Sequence, residues 1–136
     1  MRVFLDANVL FSAANPASRM RLLVDVLLAH GIPCLSNTYA EAEARKNLQE
    51  HFPAHLKGLA ALMPKIERVD RLVAKVEITI KPKDLPILYG AAVGKATHLL
   101  TCDVEDFGEV MRRPFKQLKV VTPVMLAAEL KSMGII

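Results

Sequence analysis

The segment Arg2-Val3-Phe4-Leu5-Asp6 opens the chain with a short apolar strand that ends in an acidic residue. A second segment of this kind, His98-Leu99-Leu100-Thr101-Cys102, is followed directly by Asp103. Apolar runs of this length without polar alternation are typical of strands that are buried on both faces of a parallel sheet. The two segments therefore predict an α/β fold with two central strands, each closed by a carboxylate.

The rest of the chain alternates helical and extended patterns, as βαβ units do. We expect one domain over residues 1–136, since this length is short for two ordinary domains. The stretch 66–76 has no clear assignment, and residues 77–80 are expected to be a strand or an extended segment. The other strands are expected at 32–35 and 118–122, and the helices at 19–30, about 40–50, 53–63, 84–95, 104–112 and 123–132.

The composition of the chain bears on its cellular location and on its partners. Hydrophobic residues make up 52% of the chain, yet no apolar run approaches the length of a membrane span, and the N-terminus lacks the pattern of a secretory signal. We therefore expect a cytoplasmic protein without a membrane segment. Cys34 and Cys102 are expected to be buried free thiols. The net charge of +4 favours polyanionic partners only weakly.

Four acids occupy the positions where parallel α/β sheets bind ligands. Asp6 and Asp103 end strands, Glu41 follows the second strand, and Asp84 begins a helix. Parallel strands would bring all four to one edge of the sheet. Clustered carboxylates repel one another, and a divalent cation offsets that cost. Oxygen ligands without His or Cys favour Mg²⁺ or Mn²⁺, and such sites are suited to phosphodiester hydrolysis.

Helix capping is the competing interpretation of these acids. The run from Thr38 to Glu41 matches a capping box, and Asp84 and Asp103 could each cap the helix that follows. Asp6 is expected to be different, because residues 7–12 do not show the pattern of a helix start. Glu43 is an alternative to Glu41, since residues two apart point to different faces of a helix and only one of the pair can join the site.

The motifs resemble those of PIN-domain nucleases over essentially the whole chain. Phe4-Leu5-Asp6-Ala7-Asn8-Val9-Leu10 looks like the opening motif of that family, and Leu35-Ser36 with residues 38–41 looks like its second acidic segment. The third motif of the family is similar to Asp84-Leu85-Pro86-Ile87-Leu88 with Gly90-Ala91-Ala92. The fourth is similar to Leu99-Leu100-Thr101-Cys102-Asp103 with Asp106-Phe107. Cys102 departs from the pattern, since the family usually has Gly there.

This resemblance implies a three-layer α/β/α fold and a Mg²⁺- or Mn²⁺-dependent ribonuclease, often the toxin of a VapC-type toxin-antitoxin pair. Such toxins usually bind a small antitoxin protein and self-associate, which implies a dimer. The resemblance places Asp6, Glu41, Asp84 and Asp103 on the catalytic, metal-binding positions. The supporting polar positions fall on Asn8 and Thr101, and an additional acid on Asp106.

Several residues could contact the RNA. Arg19, Arg45, Lys46 and Lys95 are expected near the acidic edge, where they could hold phosphates, although solvated helix faces explain them equally well. Tyr39 and Phe107 could stack a base, with core packing as the alternative. His51 and His55 have a zinc-like spacing, but Pro53 interrupts the helix that would align them.

Two other functions compete with the ribonuclease. A non-catalytic PIN-like module that binds RNA or a partner would keep the fold without cutting. A haloacid-dehalogenase-type phosphatase would use Asp6 as a nucleophile, but Asn8 stands where that class has its general acid.

Overall fold

The computed structural model describes residues 1–70, 85–103 and 118–136. Its centre is a five-stranded sheet in the order β3-β2-β1-β4-β5, and all four strand pairs are parallel. The strands are β1 (Val3–Leu5), β2 (Cys34–Ser36), β3 (Glu67–Arg68), β4 (His98–Leu100) and β5 (Lys119–Val121). The predicted parallel α/β sheet is confirmed.

Helices cover the sheet in a three-layer α/β/α fold, as the resemblance implied. They are α1 (Ala7–Ala13), α2 (Arg19–Ala29), α3 (Thr38–His51), α4 (Leu56–Leu62), α5 (Leu85–Val93) and α6 (Pro123–Ser132), with 3₁₀ turns at Pro53–His55 and Met63–Lys65. Helix α5 contacts β1, β2 and β4, while α1 contacts α2, α3 and α4. None of the described helices is long and apolar enough to cross a membrane.

The central strands are buried because they carry almost only apolar side chains. Every residue of β1 is fully buried, and Phe4 lies opposite Leu35 of β2 and Leu99 of β4. These residues belong to one hydrophobic cluster that extends into the helices on either side. Strands β2 and β4 therefore hold β1 in the middle of the sheet. This position determines where Asp6, the residue after β1, lies.

Two local expectations about the N-terminal half are wrong. A helix does start directly after β1, and Asp6 is its N-cap, with a side chain that accepts from the N–H of Ala7. The cap of α3 is Asn37, whose side chain accepts from the N–H of Ala40, so residues 38–41 do not form a capping box. Asn37 is one of the three residues, with Ser36 and Thr38, that the sequence offers as caps for α3, whereas the capping box places the cap one residue too late.

Other expectations have mixed outcomes. The predicted helices at 19–30, 40–50 and 123–132 correspond to α2, α3 and α6 within a few residues. The unassigned stretch contributes β3, an edge strand of only two residues. The helix expected at 104–112 and the extended segment at 77–80 lie outside the described residues. Cys34 is buried as expected, but Cys102 is exposed, which corrects the expectation for that thiol.

Candidate active site

The strand order creates a crevice beside the two strand-end acids. The chain leaves β1 toward β2 and leaves β4 toward β5, so the connections diverge between the carboxyl ends of β1 and β4. Open α/β sheets bind ligands at such a switch point. Asp6 follows β1 directly, and Asp103 lies three residues after the end of β4. Both acids therefore flank the crevice.

Asp6 is buried, and three hydrogen bonds from residues that the structure describes hold its carboxylate. Its Oδ1 accepts from the backbone N–H of Ala7 at 2.7 Å. Its Oδ2 accepts from the hydroxyl of Thr101 at 2.6 Å and from Nδ2 of Asn8 at 3.3 Å. The carboxylate is thus fixed by the start of α1 and by the residue that follows β4, and it has little freedom to turn.

Thr101 and Asn8 also fix the chain that leads to Asp103. The backbone N–H of Asp103 donates to the Thr101 hydroxyl oxygen at 3.0 Å. The backbone N–H of Cys102 donates to Oδ1 of Asn8 at 3.1 Å. This bond forms even though residue 102 is Cys and not the Gly of the family pattern. The structure therefore brings Asp6, Asn8, Thr101 and Asp103 into one hydrogen-bonded group.

Burial raises the pKa of Asp6. The hydrogen bonds from Thr101 and Ala7 oppose this effect, while the negative charges of Glu43 and Asp103 add to it. A buried carboxylate beside two like charges is an arrangement that costs free energy in the unliganded protein. Acids with a perturbed pKa mark candidate functional sites when they line a cleft.

Helix α3 presents three polar side chains to the same cleft. Glu43, Asn47 and His51 are spaced four residues apart, which places them on one face of the helix. All three line a cavity of about 340 Å³ together with Asp6, Ala7, Asn8, Phe11 and Asp103. Glu43 is therefore the α3 acid that faces Asp6, and Asn47, His51 and Phe11 are lining residues that the motifs did not indicate.

Glu41 is engaged elsewhere. Its side chain is almost buried, and its carboxylate is 2.9 Å from Nη2 of Arg45 and 2.9 Å from Nη2 of Arg68. It is not among the residues that line the cavity. The i, i+4 spacing of Glu41 and Arg45 was visible in the sequence and indicates this intrahelical ion pair.

The predicted phosphate-binding residues do not line the cavity either. Arg45 is paired with Glu41, and Arg19 borders a separate apolar depression between α2 and α6. Lys95, with φ at 54°, precedes β4, whereas Asp103 follows that strand. The two residues therefore lie beyond opposite ends of β4. Lys46 is exposed on α3. Tyr39 lies at a different depression, beside Asp70 and Pro86.

Asp84, Asp106 and Phe107 lie outside the described residues. Within the described part, no group of three or more His, Cys, Asp or Glu side chains is arranged to hold a metal ion. The donor chemistry nevertheless fits a hard cation, because the cavity is bordered by the carboxylates of Asp6, Glu43 and Asp103. A cation there would also relieve the repulsion that the buried Asp6 experiences.

Comparison with known proteins supports the fold. No family model matches the sequence, and no curated protein matches it. Among solved structures, the chain is similar to one in the crystal structure of VapBC2 from Rickettsia felis bound to a DNA fragment from their promoter. The TM-score is 0.65 at 16% sequence identity, over 90% of this chain and 98% of that chain. At this identity the likeness establishes a shared fold alone.

Proposed function

We propose that this protein is a Mg²⁺- or Mn²⁺-dependent endoribonuclease. The observation that carries the proposal is the convergence of Asp6, Glu43 and Asp103 on one cavity at the switch point of the sheet. Asp84 and Asp106 complete the acidic set on the strength of the PIN resemblance. Glu43 takes the place that the motif alone gave to Glu41, because Glu41 is neutralised by two arginines outside the cavity.

Each residue of the described site has a role in this proposal. Asp6, pinned by Thr101 and Asn8, provides a fixed carboxylate, while Glu43 and Asp103 provide carboxylates on the two sides of the cleft. A divalent cation bound there supplies activation of water and of the phosphoryl oxygen. Asn47 and His51 contribute polar groups that can contact the substrate near the acids.

We further propose that the protein is the toxin component of a VapC-type pair. The PIN-like motifs and the fold shared with a chain of a VapBC2 structure support this proposal. On this view, the partner is a small antitoxin protein, the protein self-associates as a dimer, and it acts on RNA in the cytoplasm. We expect expression of the protein to arrest cell growth, and co-expression of a neighbouring short open reading frame to relieve that arrest.

The alternatives have less support. A haloacid-dehalogenase-type phosphatase needs an acid at position 8, whereas both ends of the Asn8 side chain are occupied in bonds to Asp6 and Cys102. A non-catalytic module would have no use for a desolvated carboxylate beside two like charges, which costs free energy.

Cleavage of labelled RNA tests the proposal. The wild type is expected to cut single-stranded RNA with Mn²⁺ and to stop on addition of a chelator, and Asp6→Asn and Asp103→Asn are expected to be inactive. Asp25→Asn is the matched control, because Asp25 is an exposed acid on α2 paired with Arg21. Undiminished cutting by folded Asp6→Asn protein would contradict the assignment.

A further inference from the structure

Three aromatic rings form a group beside the acidic cavity. The rings of Phe11 and Phe52 meet edge to face, with centroids 5.8 Å apart. Phe52 and His55 are stacked, with centroids 5.4 Å apart and an angle of 12° between their planes. We call these three residues the aromatic shelf.

Phe52, the middle ring of the shelf, is exposed in a way that core packing does not explain, while Phe11 and His55 are partly buried. Phe52 is 50% exposed, whereas Phe4, a phenylalanine of the core, is fully buried. Leaving half of an aromatic side chain in water forgoes much of the free energy that its burial would provide. Phe11 and His55 contact the ring of Phe52 and hold its orientation, while half of the side chain stays exposed.

The shelf is continuous with the acidic cavity. Phe11 itself lines the cavity with Asp6 and Asp103. His51 lines the same cavity from the end of α3, and Phe52 is the next residue in the chain. A nucleic-acid strand with one phosphate at the acids of the cavity would therefore reach the aromatic shelf within a short distance along the same surface.

We propose that the aromatic shelf is a subsite for an unpaired nucleobase of single-stranded RNA, next to the phosphate held at the acids. This inference rests on the proposed ribonuclease function and adds the form of the substrate. Bases stack on exposed aromatic side chains whatever their sequence, but only when they are not already paired within a helix. The shelf therefore selects single strands over duplexes and shows little preference among bases.

Binding measurements with three Phe52 variants and one control variant test the subsite. Phe52→Ala and Phe52→Leu are expected to bind a fluorescent single-stranded oligoribonucleotide about 5- to 150-fold more weakly than the wild type, the range for loss of one base stack. Phe52→Tyr is expected to retain binding, since it keeps the ring. Val124→Ala, at a residue that is 80% exposed on α6, is the matched control for loss of a surface apolar group. Equal affinity of folded Phe52→Leu and wild type would overturn the subsite.

Photocrosslinking of the unmodified protein provides a test that does not depend on the folding of a variant. Single-stranded RNA containing 5-bromouridine is expected to crosslink within residues 11–55, and a duplex of the same sequence is expected not to. Crosslinks confined to other segments would overturn the subsite. If RNA binding depends on Phe52 but the protein does not cut RNA, the subsite is supported and the ribonuclease is refuted. If the protein cuts RNA and Phe52→Leu has an unchanged KM, the ribonuclease is supported and the subsite is refuted.

Discussion

Glu41 and Glu43 are two residues apart on α3, so about 200° of helical rotation separates their side chains. We expect Glu43→Gln to lower RNA cleavage at least about 100-fold, since even residues that only support a metal ligand are worth 10- to 100-fold. Glu41→Gln is expected to leave cleavage within a few-fold and to lower the free energy of unfolding by about 1 kcal/mol, because it weakens two partly exposed ion pairs.

Cleavage rates and urea denaturation of both variants check this prediction. The reverse result, with Glu41→Gln inactive and Glu43→Gln active, would restore the motif-based assignment. The sequence could not decide between the two acids, because the motif fixes only that an acid follows β2. Which face of α3 turns to the crevice depends on packing, although the spacing of Glu43, Asn47 and His51 was an unused indication.

Thr101 connects the two strand-end acids, since its hydroxyl donates to Asp6 and accepts from the N–H of Asp103. The hydroxyl also accepts from Nδ2 of Asn8, at 3.4 Å. Thr101→Val keeps the shape of the side chain and removes all of these bonds. We expect cleavage to fall about 10- to 100-fold, because the two acids lose their common support. Thr101→Ser, which keeps the hydroxyl, is the control and should remain within a few-fold of the wild type. A fully active Thr101→Val would show that the acids need no such support.

Among the helices, α4 packs unusually close to α1. A Cβ added at Gly58 would lie only 1.7 Å from the carbonyl oxygen of Ala14, so one of the two helix segments must move. Gly to Ala within a helix normally stabilises by about 1 kcal/mol. For Gly58→Ala we expect the opposite sign, a loss of about 1 to 3 kcal/mol in the free energy of unfolding measured in urea. Lys57→Ala, at an exposed neighbour, should change stability little, and a stabilised Gly58→Ala would refute the close approach.

Helix α6 is tied to β4 through Glu129. Its carboxylate lies 2.9 Å from Nε2 of the nearly buried His98 and 3.4 Å from Nζ of Lys119. Partial burial by itself would raise the pKa of Glu129, but the hydrogen bond and charge of His98, together with Lys119, outweigh it and hold the pKa below the ordinary 4.5. Because the folded-state pKa is the lower one, this stabilisation is complete above about pH 4.5 and is lost as the pH falls through the folded-state value.

Glu129→Gln should therefore unfold more easily than the wild type by roughly 1 to 2 kcal/mol near pH 6, and the difference should shrink toward zero in more acidic solution. Urea denaturation at a series of pH values measures it. Lys119→Met is the comparison, since Lys119 is largely exposed and its longer contact should contribute little. A difference that stays constant down to strong acid would show that the ion pair is not its source.

At the scale of the whole molecule, the sheet was predictable and the shortest elements were not. Apolar strands such as β1 and β4 carry their pattern in consecutive residues, so the sequence alone located Asp6 and Asp103 at one edge. Helix α1 has only seven residues, and the Asp that caps it is also explained as the acid that ends a strand. Strand β3 has two residues, too few for any periodicity. The shape of the cavity depends on how α1 and α3 pack, which no local pattern contains.

Metal binding should appear as stability of the whole chain, because a ligand that binds only the native state stabilises it by mass action. With Mn²⁺ at 100 times its Kd, the expected gain is about 2.7 kcal/mol, or roughly 10 °C in Tm for a chain of this size. The gain should be absent in Asp6→Asn and Asp103→Asn, which lose cavity carboxylates, and present in Asp25→Asn, whose acid lies on the surface of α2. Thermal melts with and without Mn²⁺ measure it. Equal shifts in all four proteins would place the cation elsewhere, since only the first two variants change the charge of the cavity.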